Sequence, residues 1–175
     1  FVNLKYPAYE KITREFLSSV EAEILQGKDC EEGLIAFRLH NVSYRLTLVE
    51  FNAIFGFPAG GKRNYLRSFD AWSFWDQLSQ SSSFVSSDSK EANIQNPCFR
   101  YAHRLMAHTL FARGDSPSAV RKSELLFLWG MVNEVQFDSG AWLARQFLKV
   151  GKASSGQIAI DGLITVIALH FNISL

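Results

Sequence analysis

The sequence predicts a mainly α-helical domain with one small β-hairpin near its N-terminus, at the margin of the α+β class. Most apolar residues recur every three or four positions, which is typical of amphipathic helices. One short segment alternates with period two instead, which is typical of strands. Of the 175 residues, 47% are hydrophobic and 20% are charged. This balance supplies a core and excludes a largely disordered chain, so we expect a single domain over residues 1–175.

The first helix is predicted from a single apolar stripe that follows Pro7, a residue suited to a first helical turn. Gly27 lies just past the expected helix end, and glycine is enriched at that position. We therefore expect the helix to run through the whole stripe. Its members are Tyr9, Ile12, Phe16, Val20 and Ile24.

The period-two segment predicts a hairpin whose turn is His40 and Asn41. Asparagine adopts the left-handed conformation that such a turn requires. The two-residue turn fixes the register, and it places six apolar side chains on one face of the ribbon. The facing pairs are Leu39 with Val42, Phe37 with Tyr44, and Ile35 with Leu46.

A capping box of Thr47 and Glu50 opens the next short helix, which buries Leu48, Phe51 and Phe55. Further helices are expected over residues 68–78, 97–112, 139–150 and 160–171. Another is expected to be capped by Ser123, and its stretch 125–132 is apolar nearly all round, which indicates a buried helix.

Seven serines crowd the segment 79–93. Such a composition predicts an exposed, mobile loop, with Phe84 and Val85 as its apolar anchor. We do not expect a domain boundary there, because neither side supplies a complete core.

Composition also bounds the class of protein. The net charge of +1 gives no strong overall field. The longest nearly apolar run, 158–171, is shorter than the roughly 20 residues that span a bilayer, so no membrane segment is expected. Cys30 and Cys98 cannot build a disulfide framework, which favours an intracellular protein, cytoplasmic or nuclear. The chain starts at Phe1, so we expect a fragment of something longer.

Three patterns resemble catalytic or metal motifs, and each has a simpler explanation. The Asp-Ser-Gly sequence at 138–140 occurs in aspartic proteases, but the following residues have helical spacing, so a helix cap at Asp138 or Ser139 is expected. Cys98, His103 and His108 stand five residues apart and do not converge on a helix. They are expected to be a buried thiol and two surface or hydrogen-bonded histidines. We predict no catalytic residue, metal or cofactor.

Basic residues form three groups that would contact nucleic-acid phosphates if they converged. Solvated surface is the alternative explanation, and the sequence leaves the two open. The candidate binding residues are Lys62, Arg63, Arg67, Arg100, Arg104, Arg121 and Lys122.

Several segments, taken in order, resemble one family. They are Glu15-Phe16-Leu17, Phe37-Arg38-Leu39, the block from Tyr44 to Pro58, Asn96-Pro97-Cys98-Phe99-Arg100-Tyr101, Lys122-Ser123-Glu124-Leu125-Leu126 and Asp161-Gly162-Leu163-Ile164-Thr165. Together they are similar to the first-open-reading-frame protein of Athila-type plant retrotransposons and to a related plant transposon protein domain. The plant mobile domain is a more distant likeness.

The resemblance implies a Gag-like position in the element and brings no catalytic residues. We therefore expect a non-enzymatic protein that acts by protein association or packaging, with self-association as one form of it. The alternatives are a nucleic-acid-binding module that uses the basic residues and an enzyme of unrecognised type. No membrane and no small-molecule cofactor are expected as partners.

Overall fold

A computed structural model describes residues 6–24, 33–79, 83–86, 88–113, 118–153 and 160–175. The expectations for Gly27 and Cys30 lie outside these residues. The elements are α1 (Glu10–Ser19), β1 (Glu21–Ile24), β2 (Gly33–Leu39), β3 (Val42–Thr47), α2 (Leu48–Phe55), α3 (Ala71–Leu78), a 3-10 turn (Glu91–Asn93), α4 (Pro97–His108), α5 (Lys122–Val132), α6 (Ser139–Gly151) and α7 (Asp161–His170). The prediction of a mainly α chain with a small β element near the N-terminus is confirmed.

The chain divides into two compact units. The first, called here the sheet unit, comprises Phe1–Gly60 and Asp138–Leu175. The second, the middle unit, comprises Gly61–Phe137. The expectation of one domain over residues 1–175 stays a prediction.

The hairpin of the sheet unit has the predicted register. Leu39 pairs with Val42, Phe37 with Tyr44, and Ile35 with Leu46. His40 and Asn41 have φ values of 51° and 63°, so both turn residues are left-handed. This is the two-residue turn whose twist matches that of the flanking strands. The Phe37 and Tyr44 rings stack with centroids 5.8 Å apart.

A third strand was not predicted, and the expected length of the first helix is wrong. α1 ends at Ser19, and residues 21–24 form β1, which pairs antiparallel with β2 to give the order β1-β2-β3. The Ser19 hydroxyl donates to the Glu15 carbonyl within the last turn of α1. Its oxygen also accepts the Arg38 backbone N–H at 2.8 Å. The serine thus ends the helix and continues the pairing of β2 beyond β1, a long-range contact that helical periodicity does not reveal.

The inner face of the sheet is covered by helices from both ends of the chain. Phe16 of α1 lies 4.9 Å from Phe37 and 5.2 Å from Phe147 of α6, measured between ring centroids. All three rings are buried. α7 packs against α1 and α2 and completes this core. The outer face of the sheet is largely exposed and carries Arg38 and Arg45.

A buried polar contact closes the start of α6. The Asp138 carboxylate caps the helix by accepting the Ala141 N–H at 3.1 Å. The same oxygen accepts from the Asn52 side-chain amide at 3.1 Å, and the Asn52 carbonyl accepts the Gly140 N–H at 2.9 Å. The helix-cap interpretation of the Asp-Ser-Gly sequence is therefore confirmed.

The middle unit is built around α5, which packs against α3 and α4. Leu125, Leu126 and Leu128 are fully buried, as the apolar sequence predicted. Met131 and Val132 at its end are exposed, so the predicted burial does not extend to residue 132. The expected cap is also wrong, because the N-cap is Arg121 and Ser123 lies inside the first turn.

The serine-rich segment is only partly exposed. Its residues 80–82 and 87 lie outside the described part. Phe84 is buried, as expected of an anchor, whereas Val85 is exposed. Ser79, Ser89 and Glu91 are buried as well, and Lys90 forms a β-bridge with Ala119. The expected exposure is wrong at these positions, because backbone bonds tie the segment to the rest of the unit. Its mobility stays a prediction.

Candidate functional site

The seven candidate nucleic-acid residues all belong to the middle unit, but several are engaged in holding it together. Arg63 is buried. Arg100 donates from Nη2 and Nε to the Ile94 carbonyl at 2.7 and 3.1 Å. Arg104 forms a salt bridge with Glu91, with Nη2 and Oε1 2.6 Å apart. These guanidinium groups have a structural use that spacing alone did not indicate.

Of the other four candidates, three are exposed, as is Arg104 despite its salt bridge. Lys62, Arg67 and Lys122 are exposed, and Arg121 is half-buried. The backbone of Lys62 is fixed, because its N–H donates to the Gln136 carbonyl at 2.9 Å. Lys62, Arg67 and Lys122 are therefore the ones best placed to meet a ligand.

A buried ionic cluster around Glu124 was missed by the sequence analysis. The Glu124 side chain is fully buried. It accepts from His103 Nε2 at 2.8 Å, from Arg113 Nη1 at 3.0 Å and from the Arg121 backbone N–H at 2.8 Å. Arg113 also donates to the Ala119 carbonyl. A buried carboxylate with this many donors is a satisfied structural charge.

His103 connects Glu124 to a second carboxylate. Its Nδ1 lies 3.4 Å from Glu91 Oε2, so both ring nitrogens face carboxylate oxygens. Burial on its own would raise the pKa of Glu91. The hydrogen bond and charge of Arg104, and then those of His103, outweigh burial and hold that pKa below its usual value.

This cluster positions the start of α5. The Glu124 carboxylate binds the N-cap amide of its own helix and ties it to α4 through His103. Glu124 is the third residue of an apolar helix, a position where glutamate is favoured because it can bind the N-cap amide. This position was a signal in the sequence for the bond to the Arg121 N–H. The described residues contain no group of three histidine, cysteine or acidic side chains that could hold a metal ion. Cys98, expected to be a buried thiol, is exposed.

An aromatic surface adjoins the start of α5 in the same unit. The Lys122 ammonium lies 5.4 Å from the Tyr65 ring centroid and 5.5 Å from the Trp72 centroid. Both rings are about half exposed. Burial is the main cause that raises the pKa of Tyr65, so its hydroxyl stays protonated at neutral pH. We call Tyr65, Trp72 and Lys122 the aromatic platform.

The described residues contain no helix long and apolar enough to cross a membrane. In the sheet unit, the described strands end at β3 on one side. Because the strand order is β1-β2-β3, β3 is an edge strand. Its residues Ser43, Arg45 and Thr47 are exposed.

Comparison with known proteins assigns the chain to a class. Residues 1–135 of the 175 match a family of retrotransposon proteins, so the chain is derived from a plant transposable element. It belongs to the ATHILA ORF-1 family. ORF-1 proteins of retrotransposons are generally non-catalytic. No curated protein and no solved structure matches the chain. The match stops before α6 and α7, the two helices that complete the core of the sheet unit.

Proposed function

We propose that this retrotransposon-derived chain is a non-enzymatic, Gag-like protein that works by association, and that two copies pair through the outer edge of β3. Membership of the ATHILA ORF-1 family supports the class of role. The observation that carries the proposal is the open edge of β3. Edge strands with free backbone groups are templates for pairing with another chain.

The backbone groups available at this edge follow from the hairpin. In an antiparallel pair, residues alternate between hydrogen-bonded and non-bonded positions, and the pair that closes a two-residue turn is bonded. Val42, Tyr44 and Leu46 therefore turn their backbone groups toward β2, and Ser43, Arg45 and Thr47 turn theirs away. The Thr47 N–H supports this assignment, because it donates to Glu50 Oε2 at 2.7 Å and not to β2.

β3 lacks the usual features that prevent edge pairing. It has no proline, its register with β2 contains no bulge, and Arg45 is its one charged residue. The opposite edge, β1, carries the charged residues Glu21 and Glu23, and charged side chains hinder edge pairing. Within the described part of the chain, no strand pairs with the outer side of β3.

One register suits a twofold pair. Facing residues must lie on the same side of a sheet, so the symmetry axis passes through a residue of β3. An axis at Tyr44 places Ser43 of one copy opposite Arg45 of the other and forms four backbone hydrogen bonds. An axis at Arg45 would place two arginines opposite each other and would need the Thr47 N–H, which Glu50 already binds.

The test uses proline at a position where it removes only the outward N–H. Because both copies carry it, Arg45→Pro removes two of the four backbone bonds of the proposed dimer but no bond of the β2–β3 ladder, and proline is tolerated on edge strands. Arg45→Ala is the matched control, because it removes the side chain and keeps the N–H. Sedimentation equilibrium over a wide concentration range measures association, and circular dichroism checks the fold.

We expect the native chain and Arg45→Ala to self-associate as concentration rises and Arg45→Pro to remain monomeric. A strict monomer at high concentration for the native chain would contradict the proposal. Equal association of the proline and alanine variants would show that copies meet through another surface.

Binding of nucleic acid through basic residues is a second candidate function. The aromatic platform favours it, because an ammonium held against two exposed rings combines the two features that single-stranded nucleic acids bind.

A further inference from the structure

We propose that the aromatic platform of Tyr65, Trp72 and Lys122 is a stacking site for unpaired bases of single-stranded nucleic acid. The site rests on the second candidate function and not on self-association, because the platform belongs to the middle unit and the β3 edge belongs to the sheet unit.

The two rings are exposed despite their large apolar surfaces. Tyr65 is 47% exposed and Trp72 is 54% exposed, whereas Trp75 on the same helix is fully buried. α3 therefore places one tryptophan in the core and the other at the surface. Each ring therefore offers exposed aromatic surface to the π-face of a base, and a stacking base would displace the Lys122 ammonium from the ring face that it lies over.

The exposed rings are supported from behind by buried aromatic side chains. The Tyr65 ring lies nearly parallel to the Phe69 ring, with centroids 6.4 Å apart. The Trp72 and Phe84 rings are nearly perpendicular, with centroids 6.5 Å apart. Phe69 and Phe84 are both buried. The rings are thus held in place before a ligand arrives, which lowers the entropic cost of binding.

The cation identifies the chemistry of the ligand. The Lys122 ammonium lies within cation–π distance of both rings, and its side chain is exposed. It is held there by the start of α5, which Glu124 fixes through the Arg121 N–H. A base that stacks on Tyr65 or Trp72 would bring its own phosphate within reach of this ammonium. A proline-rich peptide would use the rings but would have no anion for the lysine.

Of the acidic groups near the platform in the chain, Asp76 is exposed on α3 four residues after Trp72, whereas Asp70 and Glu124 are engaged in contacts of their own. The Asp70 carboxylate accepts the Trp72 backbone N–H at 3.1 Å and serves as the cap of α3. Glu124 is neutralised within the buried cluster. Lys62 and Arg67, both exposed and close to Tyr65 in sequence, add positive charge for the neighbouring phosphates.

The test measures binding of a labelled single strand by fluorescence anisotropy with the full chain. A strand of about 12 nucleotides, as poly-dT and as poly-U, is long enough to cross the site. Trp72→Leu and Tyr65→Leu keep an apolar side chain against the supporting phenylalanine and remove the ring. Tyr101→Leu is the matched control, since Tyr101 is 66% exposed in the same unit and has no cation over its ring among the described residues.

We expect binding at low salt that weakens about tenfold or more in each platform variant and is unchanged in Tyr101→Leu. Lys122→Ala should weaken binding and reduce the slope of log affinity against log salt by about 0.7, the value for one single-strand phosphate contact. Trp72→Phe, which keeps a ring, should retain most of the affinity. Thermal unfolding verifies that each variant is folded.

Three results would overturn the inference. The first is no binding of either strand at about 50 mM salt. The second is equal loss in Trp72→Leu and Tyr101→Leu, which would indicate attraction by charge alone. The third is binding of a proline-rich peptide that the oligonucleotide does not compete away. If Trp72→Leu does not fold, Lys122→Ala and Tyr65→Leu decide the matter. Arg45→Pro should bind the oligonucleotide as tightly as the native chain does. Loss of oligonucleotide binding therefore tests the platform, and loss of dimers tests self-association.

Discussion

The buried cluster yields a stability prediction for Glu124→Gln. Glutamine has nearly the same volume, so the substitution opens no cavity and changes only charge and hydrogen bonding. It replaces one acceptor oxygen with a donor, which then faces His103 Nε2 or Arg113 Nη1. Because both partner side chains are almost fully buried, neither regains water in exchange.

The expected cost follows from the loss of one member of a buried ion pair. Such losses typically destabilise by about 3–5 kcal/mol. We take about 3 kcal/mol, because the glutamine carbonyl still accepts one of the original bonds. In a chain of this length that corresponds to a fall of roughly 6–12 °C in Tm. The loss should appear in the unfolding of the whole chain, measured by calorimetry and by urea titration.

The matched control for this prediction is Glu10→Gln. Glu10 forms a salt bridge with Arg14 at 2.5 Å, but both side chains are largely exposed. Exposed pairs contribute little, so Tm should stay within experimental error. A loss below about 1 kcal/mol for Glu124→Gln, or equal effects of the two variants, would refute the view that the cluster is a satisfied structural charge.

Two further predictions concern pH and packing. Burial alone would raise the pKa of Glu91, but Arg104 outweighs burial and lowers that pKa in the folded state. Ionised Glu91 therefore stabilises the fold above its unfolded pKa of about 4.5. This contribution is lost as the pH falls through the lower pKa of the folded state. Urea titrations should therefore show Glu91→Gln less stable than the native chain at pH 7, with a gap that closes in acid; a gap independent of pH would contradict the assignment. Gly140→Ala would place a Cβ against Asn52 Oδ1, and the bond from the Asn52 amide to Asp138 prevents that side chain from moving aside. Although alanine has the better helix propensity, we expect the free energy of unfolding to fall by about 1–3 kcal/mol, measured by thermal unfolding. An unchanged or raised Tm would show that the start of α6 can shift.

Local signals predicted much of this fold correctly. The capping box of Thr47 and Glu50 is present in full, and Glu50 has a lowered pKa because the Thr47 N–H and then its hydroxyl donate to it. The turn at His40 and Asn41 set the register of the hairpin. These features depend on residues close in sequence, so the sequence specifies them without knowledge of the rest of the chain.

The features that were missed depend on contacts between distant segments. Ile24 continues the helical spacing of the α1 stripe, but it lies in β1. The pairing of β1 with β2, which the local sequence does not show, makes this segment a strand. In the cluster, His103 lies 21 residues from Glu124. Nothing in the sequence around Arg113 indicates burial, which becomes evident only when Glu124 is placed beside it. Charged residues are assigned to the surface by default, and a buried pair is the exception that composition does not reveal.

The residues matched by the family model leave out α6 and α7, which belong to the sheet unit. The ATHILA ORF-1 match ends at residue 135, and the sheet unit takes its second segment from Asp138 onward. Phe147 of α6 contacts the rings of Phe16 and Phe51 from the matched part. A fragment that stops at residue 135 would therefore expose one side of this aromatic core, so experiments on the β3 edge require the whole chain.

The most direct measurement for the proposed association is hydrogen–deuterium exchange of individual amides in β3 at increasing protein concentration. The Tyr44 amide lies in the β2–β3 ladder and should be protected at every concentration. The Ser43 and Arg45 amides point outward, so they should exchange fast in dilute solution and become protected as copies pair. Fast exchange of Ser43 and Arg45 at all concentrations, beside a protected Tyr44, would contradict pairing through this edge.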